Sequence, residues 1–383
     1  MKKIKLWYVL TIPVLLAIVF VARFWIGTRS FMLDFSQFYW PESRIFWSRE
    51  NPLEVHGDFP WVYTLYAFYV MPWFPLNIAK ICGFAILLVS LMFTGYISGR
   101  TIEESADISH RRALILGILI AFTIYPWASS VSWGNIGTLT CVAAILSLHA
   151  CKARKEILAG VFLAVALIKP HATALIIVPM LLTRHISAVA IGGVLVLSSG
   201  LFASAWLGET PWNMLQMLFS NAGSGEFDFV SAGIMSFLLD FGIDNKTVFI
   251  LSAIAGIAYC IYFTLKLYSE KTADIFTLSI PSVIALTFWF YKNGQDEYLL
   301  LIPVLMFSLL IWKRSGKFEC NIPEASIFLI LCMGTCGLTR ISCQILTVAG
   351  FGGEPVQWTL DSIWHLVIAV IGVYIVGRMV KER

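Results

Sequence analysis

The chain reads as an all-α polytopic integral membrane protein, and three features of its composition and order lead there. Of its 383 residues, 58% are hydrophobic and only 13% charged, with a mean hydropathy of +0.80, whereas a soluble domain carries about 25% charged residues. The apolar residues gather into runs approaching the ~20 that one helical crossing requires. The basic residues lie between those runs rather than in one stripe, and the net charge is only +4, which excludes a nucleic-acid-binding surface.

Taken in order, the runs fall near residues 7–26, 74–97, 113–128, 134–150, 157–168, 172–182, 186–206, 247–266, 274–290, 298–312, 325–346 and 359–378. They predict about 12 transmembrane helices, some short or re-entrant, in a single membrane-embedded domain over 1–383. The first run follows MKKIK in the charge order of a signal sequence, but it is longer than a signal's apolar core and lacks a small-x-small cleavage site, so it reads as an uncleaved first helix. Long loops follow at 27–73 and 207–246. Cysteines sit mostly inside apolar runs (Cys82, Cys141, Cys260, Cys332, Cys336), so no disulfide framework is encoded. Cys332, Cys336 and Cys343 share a helical face without a His or carboxylate at matching spacing, and read as small packing residues.

The segments MKKIK, Arg100 to Arg112, CKARKE, TRH, Lys266 to Lys271, KRSGK and RMVKER hold 18 of the 27 Lys and Arg residues. The positive-inside rule places these segments, and with them both termini, in the cytoplasm. The two long loops then face outward, carrying Asp34, Glu42, Glu50, Glu54, Asp58, Glu209, Glu226 and Asp228 with Trp40, Trp47, Trp61 and Trp73. An outward-facing site and an aromatic belt with solvated charges are both consistent with that content. Runs 157–168 and 172–182 would be only about 17 Å long as helices against a hydrocarbon core of about 30 Å. They form either one helix kinked at Lys169-Pro170-His171 or a shallow hairpin. A single helix would invert every later basic segment, so the charge bias favours the hairpin. Either path puts Lys169 at membrane depth, where an ammonium ordinarily faces a partner or a polar cavity, or else snorkels to the headgroups.

Asp34 opens a short segment with Phe35, Phe38, Tyr39, Ile45 and Phe46 along one face, as expected of an interfacial helix in the first outer loop. Asp34 with Gln37 three residues on is a capping-box pattern, yet the same carboxylate is placed to act as a base at the outer surface. Asp296-Glu297, beside Lys292, is an adjacent carboxylate pair suited to sugar hydroxyls or to a local ion pair in a solvated turn. No phosphate-loop, HExxH or outward DxD pattern occurs, which disfavours a nucleotide-sugar or metal-dependent mechanism.

Several short motifs, in this order and spacing, resemble glycosyltransferase family 87, whose members are polytopic GT-C enzymes and include mycobacterial polyprenyl-phosphate-mannose-dependent mannosyltransferases. They are Asp34 to Tyr39, Asn51-Pro52-Leu53, Phe59 to Tyr63, Pro75-Leu76, Trp133 to Leu148, Ala159 to Arg184 around Lys169-Pro170, and Asp296-Glu297-Tyr298 with Ile302-Pro303. The resemblance covers about half the chain, mostly before residue 185. It implies a GT-C-type fold, transfer on the non-cytoplasmic face, and a sugar carried on polyprenyl phosphate as donor substrate with no separate cofactor. The family's catalytic Asp after the first helix is matched by Asp34, and its Lys-Pro pair by Lys169-Pro170. The chain departs from the family at Gly134-Asn135-Ile136-Gly137 (Gly-Gln-x-Asn), Tyr63-Thr64-Leu65 (Tyr-Pro-Pro) and Gln295-Asp296-Glu297 (Trp-Asp-His).

The residue types suit that chemistry independently. A sugar phosphate already carries a good leaving group, so one carboxylate suffices where a glycoside hydrolase needs two. Asp34 is the expected general base, and Lys169 the expected partner of the departing phosphate, with Arg44, Lys292 and His171 as further cations. Asp296, Glu297, Tyr63 and Asn135 complete the expected substrate-binding set. The expected partners are the donor, a glycolipid or polysaccharide acceptor and the bilayer of a bacterial inner membrane, without nucleic acid. A secondary transporter or flippase, and another lipid-linked glycan enzyme such as a ligase or acyltransferase, are the competing readings; a transporter would ordinarily show repeats between halves, and none is visible.

Overall fold

A computed structural model describes residues 3–28, 31–52, 67, 69–216, 233–234, 238, 241–270, 274–288, 294–349 and 354–382. Long apolar runs become long helices: α1 (Leu6–Thr28), α3 (Leu76–Ser105), α10 (Ile186–Leu207), α11 (Asn245–Ser269), α13 (Leu301–Ser315) and α15 (Glu354–Lys381). Between them stand α2 (Trp40–Trp47), α4 (His110–Thr123), α5 (Pro126–Trp133), α6 (Gly137–Lys152), α7 (Glu156–Ala166), α8 (Pro170–Thr173), α9 (Ile177–Leu182), α12 (Ile275–Ala285) and α14 (Ile322–Val348). Among the described residues six helices are long and apolar enough to cross a membrane, or eight if the bent pairs α4–α5 (61°) and the two halves of α14 (89°) each count as one span. The fold is therefore an all-α membrane protein, but the expected 12 crossings are not all supplied by length. Runs 134–150, 157–168, 172–182 and 274–290 became shorter apolar helical stretches of 10 to 17 residues.

Each break has a local cause. Pro126 and Pro170 stand at the first turns of α5 and α8, where a missing N–H costs nothing but where the preceding helix cannot continue. Inside α14, Gly334 adopts φ 62°, ψ −179°, a conformation essentially confined to glycine. At the α7–α8 break the Thr173 hydroxyl donates to the carbonyls of Ala166 (2.7 Å) and Lys169 (3.1 Å), satisfying backbone that has no water at membrane depth.

One end of the molecule gathers the basic segments. Strand β1 (Ile4–Lys5) pairs antiparallel with β2 (Glu319–Cys320), and Leu6 N–H donates to Phe318 O at 2.9 Å, a ladder the apolar pattern gave no sign of. Lys152 pairs with Glu104 (2.9 Å) and Arg314 with Glu324 (2.6 Å), while Arg378 of α15 bears electrostatically on the same Glu324 carboxylate. His185 Nδ1 lies 2.6 Å from Glu156 Oε1, so the chain entering α7 and the chain leaving α9 meet at this end. Residues 156–185 are thus a hairpin. With α7 only 11 residues long, its tip stands about 16 Å above the basic end. At the opposite end Trp206 Nε1 donates to Phe46 O at 2.9 Å, docking α2 on the end of α10.

Candidate active site

Interruptions in helices leave backbone and polar side chains at one level, and four of them adjoin one another here: the end of α5, the hairpin tip, the 3-10 segment Gly294–Leu300 and the break in α14. The segment holding Asp34 is seated on the first. Met32 N–H donates to Ser132 O at 3.1 Å, and Gly134 ends α5 at φ +72° with Phe35 Cβ and Met32 Cβ only 2.6 and 2.8 Å from where its own Cβ would stand. Only glycine meets both conditions. The close approach brings Asp34 beside Asn135.

Asn135 is buried and its amide is fully oriented. Its Oδ1 accepts from Lys169 Nζ (2.8 Å) and from Gly137 N–H (2.9 Å), so its Nδ2 faces Asp34 Oδ2, at 3.4 Å. Lys169 Nζ also donates to Asp296 Oδ1 at 3.0 Å, and His171 Nε2 stands 3.2 Å from Asp296 Oδ2. Asp34, Asn135, Lys169, Asp296 and His171 therefore form one chain of polar contacts. Lys169 is 11% exposed and Asp296 1%; an ammonium so placed is compensated rather than snorkelling. Of its three N–H donors, two go to these partners.

The capping expectation for Asp34 is corrected. Asp34 already has helical dihedrals (φ −58°, ψ −39°) and makes no side-chain cap to the π-helical turn Phe35–Tyr39. The carboxylate is turned toward Asn135 rather than onto the amides that follow it. Burial, with the Asp34 carboxylate beside it, pushes the phenol of Tyr69 well above its ordinary range. Tyr69 stays a neutral hydroxyl against the Phe35 ring, 5.6 Å away in an edge-on contact.

Asp296 and Glu297 point to different neighbours. Glu297 Oε2 accepts from Thr335 N–H at 2.7 Å, its Oε1 takes the Thr335 hydroxyl, and His365 Nε2 of α15 stands 3.7 Å away. The carboxylate thus occupies the gap opened by Gly334. Tyr298 OH donates to Ala121 O (2.9 Å) and Cys141 Sγ to Asp296 O (3.2 Å), so the 3-10 segment is pinned on every side. Arg44 is exposed, with its guanidinium over the Trp40 ring at 4.9 Å, apart from the cluster. Tyr63 and Lys292 lie outside the described residues. Thr335, His365 and Tyr69 were missed by sequence reasoning; a lone histidine in the apolar last run was the one available signal. Among the described residues no group of three His, Cys, Asp or Glu side chains is placed to hold a metal ion.

A carboxylate beside a buried cation, separated by one amide, can take a proton from an incoming hydroxyl while the cation meets negative charge leaving a few ångströms deeper. The model of glycosyltransferase family 87 matches residues 62–265 of the chain, a stretch that includes Asn135, Lys169 and His171 and begins after Asp34. No curated protein and no solved structure matches the chain.

Proposed function

The chain belongs to glycosyltransferase family 87, and on that premise we propose that it moves a hexose or pentose from a polyprenyl-phosphate carrier to a glycolipid or glycan acceptor on the outer face of a bacterial inner membrane. The basic end, with both termini, is then cytoplasmic, α2 lies in the outer interface, and Asp34 faces the outer leaflet. The observation that carries the reading is the contact chain from Asp34 through Asn135 to the Lys169–Asp296 pair.

In this mechanism the Asp34 carboxylate takes the proton of the acceptor hydroxyl as that oxygen attacks the anomeric carbon. The bond from that carbon to the phosphate oxygen breaks with inversion, and the electron pair leaves with the polyprenyl phosphate. Lys169 meets the developing phosphate charge with its remaining N–H. Asp296 Oδ1 holds the ammonium in position, and the His171 ring contacts the other oxygen of the same carboxylate. Glu297, held by Thr335, fixes the segment that carries Asp296 and does not itself reach substrate.

The test is to incubate purified protein with a panel of polyprenyl-phosphate sugars and candidate acceptors and to follow carrier-dependent transfer. Transfer from at least one carrier, lost in Asp34→Asn, supports the reading. Vesicle uptake of a solute without any transfer would return a carrier protein to the front.

A further inference from the structure

A second polar feature lies at the basic end, far from Asp34. There a cavity of about 510 Å³ opens between the start of α1, the start of α4 and the residues that follow α13. Three cations from distant parts of the chain line it, Lys5, Arg112 and Lys317, against the single carboxylate of Glu319. Its inner wall is apolar: Ile115 and Leu119 continue along α4 beneath Arg112, and Trp7 and Trp312 face it from α1 and α13. From Arg112 to Leu119 the helix descends about 10 Å. With this end at the cytoplasmic surface, as proposed above, the cavity would run from the headgroup level into the level of the first acyl carbons.

We propose that this cavity is a binding site for one anionic glycerophospholipid of the surrounding bilayer, its phosphate among Lys5, Arg112 and Lys317 and its upper acyl chain along Ile115 and Leu119. Charge complementarity selects the occupant. A net excess of two positive charges beside an apolar slot suits a monoanionic headgroup carrying a hydrocarbon chain, the pattern by which basic pockets between helices hold acidic lipids. A free phosphate would use the cations and leave the slot and its two indoles idle; a zwitterionic lipid would bring its own cation against three others. Snorkelling of independent basic residues needs no convergence of residues 5, 112 and 317, nor a cavity between them. The volume also lies in the ordinary range for small-ligand sites. Because Lys5 belongs to β1 and Lys317 stands two residues before β2, bound lipid would hold the ladder against α4.

The experiment uses the full chain in a neutral detergent, and two readouts: lipid retained per protein by native mass spectrometry, and Tm with phosphatidylglycerol or phosphatidylcholine added. Wild type is expected to retain about one phosphatidylglycerol through delipidation and to gain Tm with that lipid alone. Lys5→Gln/Arg112→Gln/Lys317→Gln should weaken retention by a factor of about ten or more. Ile115→Trp/Leu119→Trp, which fills the slot and spares the cations, should do the same, so that misfolding of one variant leaves the other decisive. Equal retention of the two lipids, or undiminished retention in either folded variant, overturns the proposal in favour of ordinary boundary lipid. Displacement of the lipid by soluble glycerol phosphate at matched concentration overturns it in favour of a headgroup-only anion site.

Discussion

Asp34 and Lys169 do different work in the proposed step, and kinetics separates them. Asp34→Asn keeps a side chain that can still meet Asn135, so the protein is expected to stay monodisperse in detergent while turnover falls about a hundredfold or more, the usual effect of losing a general base; near-normal transfer would leave Asp34 without a chemical role. Lys169→Gln is expected to raise the donor concentration needed for half-maximal rate and to slow the step itself, because Asp296 then faces the phosphate uncompensated. Lys169→Arg should retain part of both, with a changed geometry. Steady-state rates over a range of donor, normalised to folded protein, check this, and unchanged kinetics in the Gln variant would remove Lys169 from the site. Both residues were legible in the sequence because an ionisable group just outside or within an apolar run is conspicuous. The contacts among them were not: Asn135 lies 101 positions from Asp34 and Asp296 lies 127 from Lys169, separations over which helical periodicity carries no information. The same blindness treated Asp296 and Glu297 as one pair, where the backbone turn sends them to different helices.

At the scale of elements, the site exists because helices stop. Proline and lysine marked the hairpin tip in advance, and the Glu156–His185 contact agrees with the charge pattern that preferred a hairpin there. The breaks at Gly134 and Gly334 were not foreseen, since one glycine inside an apolar run looks like packing until its dihedrals are seen. Gly134→Ala tests how much the site depends on such a stop. A left-handed alanine costs about 1 to 2 kcal/mol, and the collision with Phe35 and Met32 adds about 1 to 3 more. The variant is expected to lose thermal stability, and folded molecules should lose turnover more than donor affinity, because the displaced segment is the one that carries Asp34. A loss confined to donor affinity would mean that the displacement reaches Lys169 instead.

Over the whole molecule, most of the long helices match the apolar runs that announced them, while the depth of the short ones depends on neighbours that only the assembled bundle provides. The clustering of basic segments at one end gives a direct test of sidedness. Cysteines placed near Glu54 and Asp228 should react with an impermeant thiol reagent added to intact cells, and one at Ser315 should not. Reaction at Ser315 from outside would invert the proposed orientation and move Asp34 to the cytoplasmic face. The small ladder at that end also bears on the order in which the protein is made. It joins residues 316 positions apart, and closing so long a loop costs roughly 5 kcal/mol of chain entropy, more than a few hydrogen bonds worth about 1 kcal/mol each can offset. Ile4 and Lys5 are made before the helices that follow them, yet they must wait until those helices have inserted and carried Glu319 back to them. Pairing of these strands is thus a late step of biogenesis, and a bulky fusion ahead of Ile4 would stall maturation at its end while leaving insertion itself untouched.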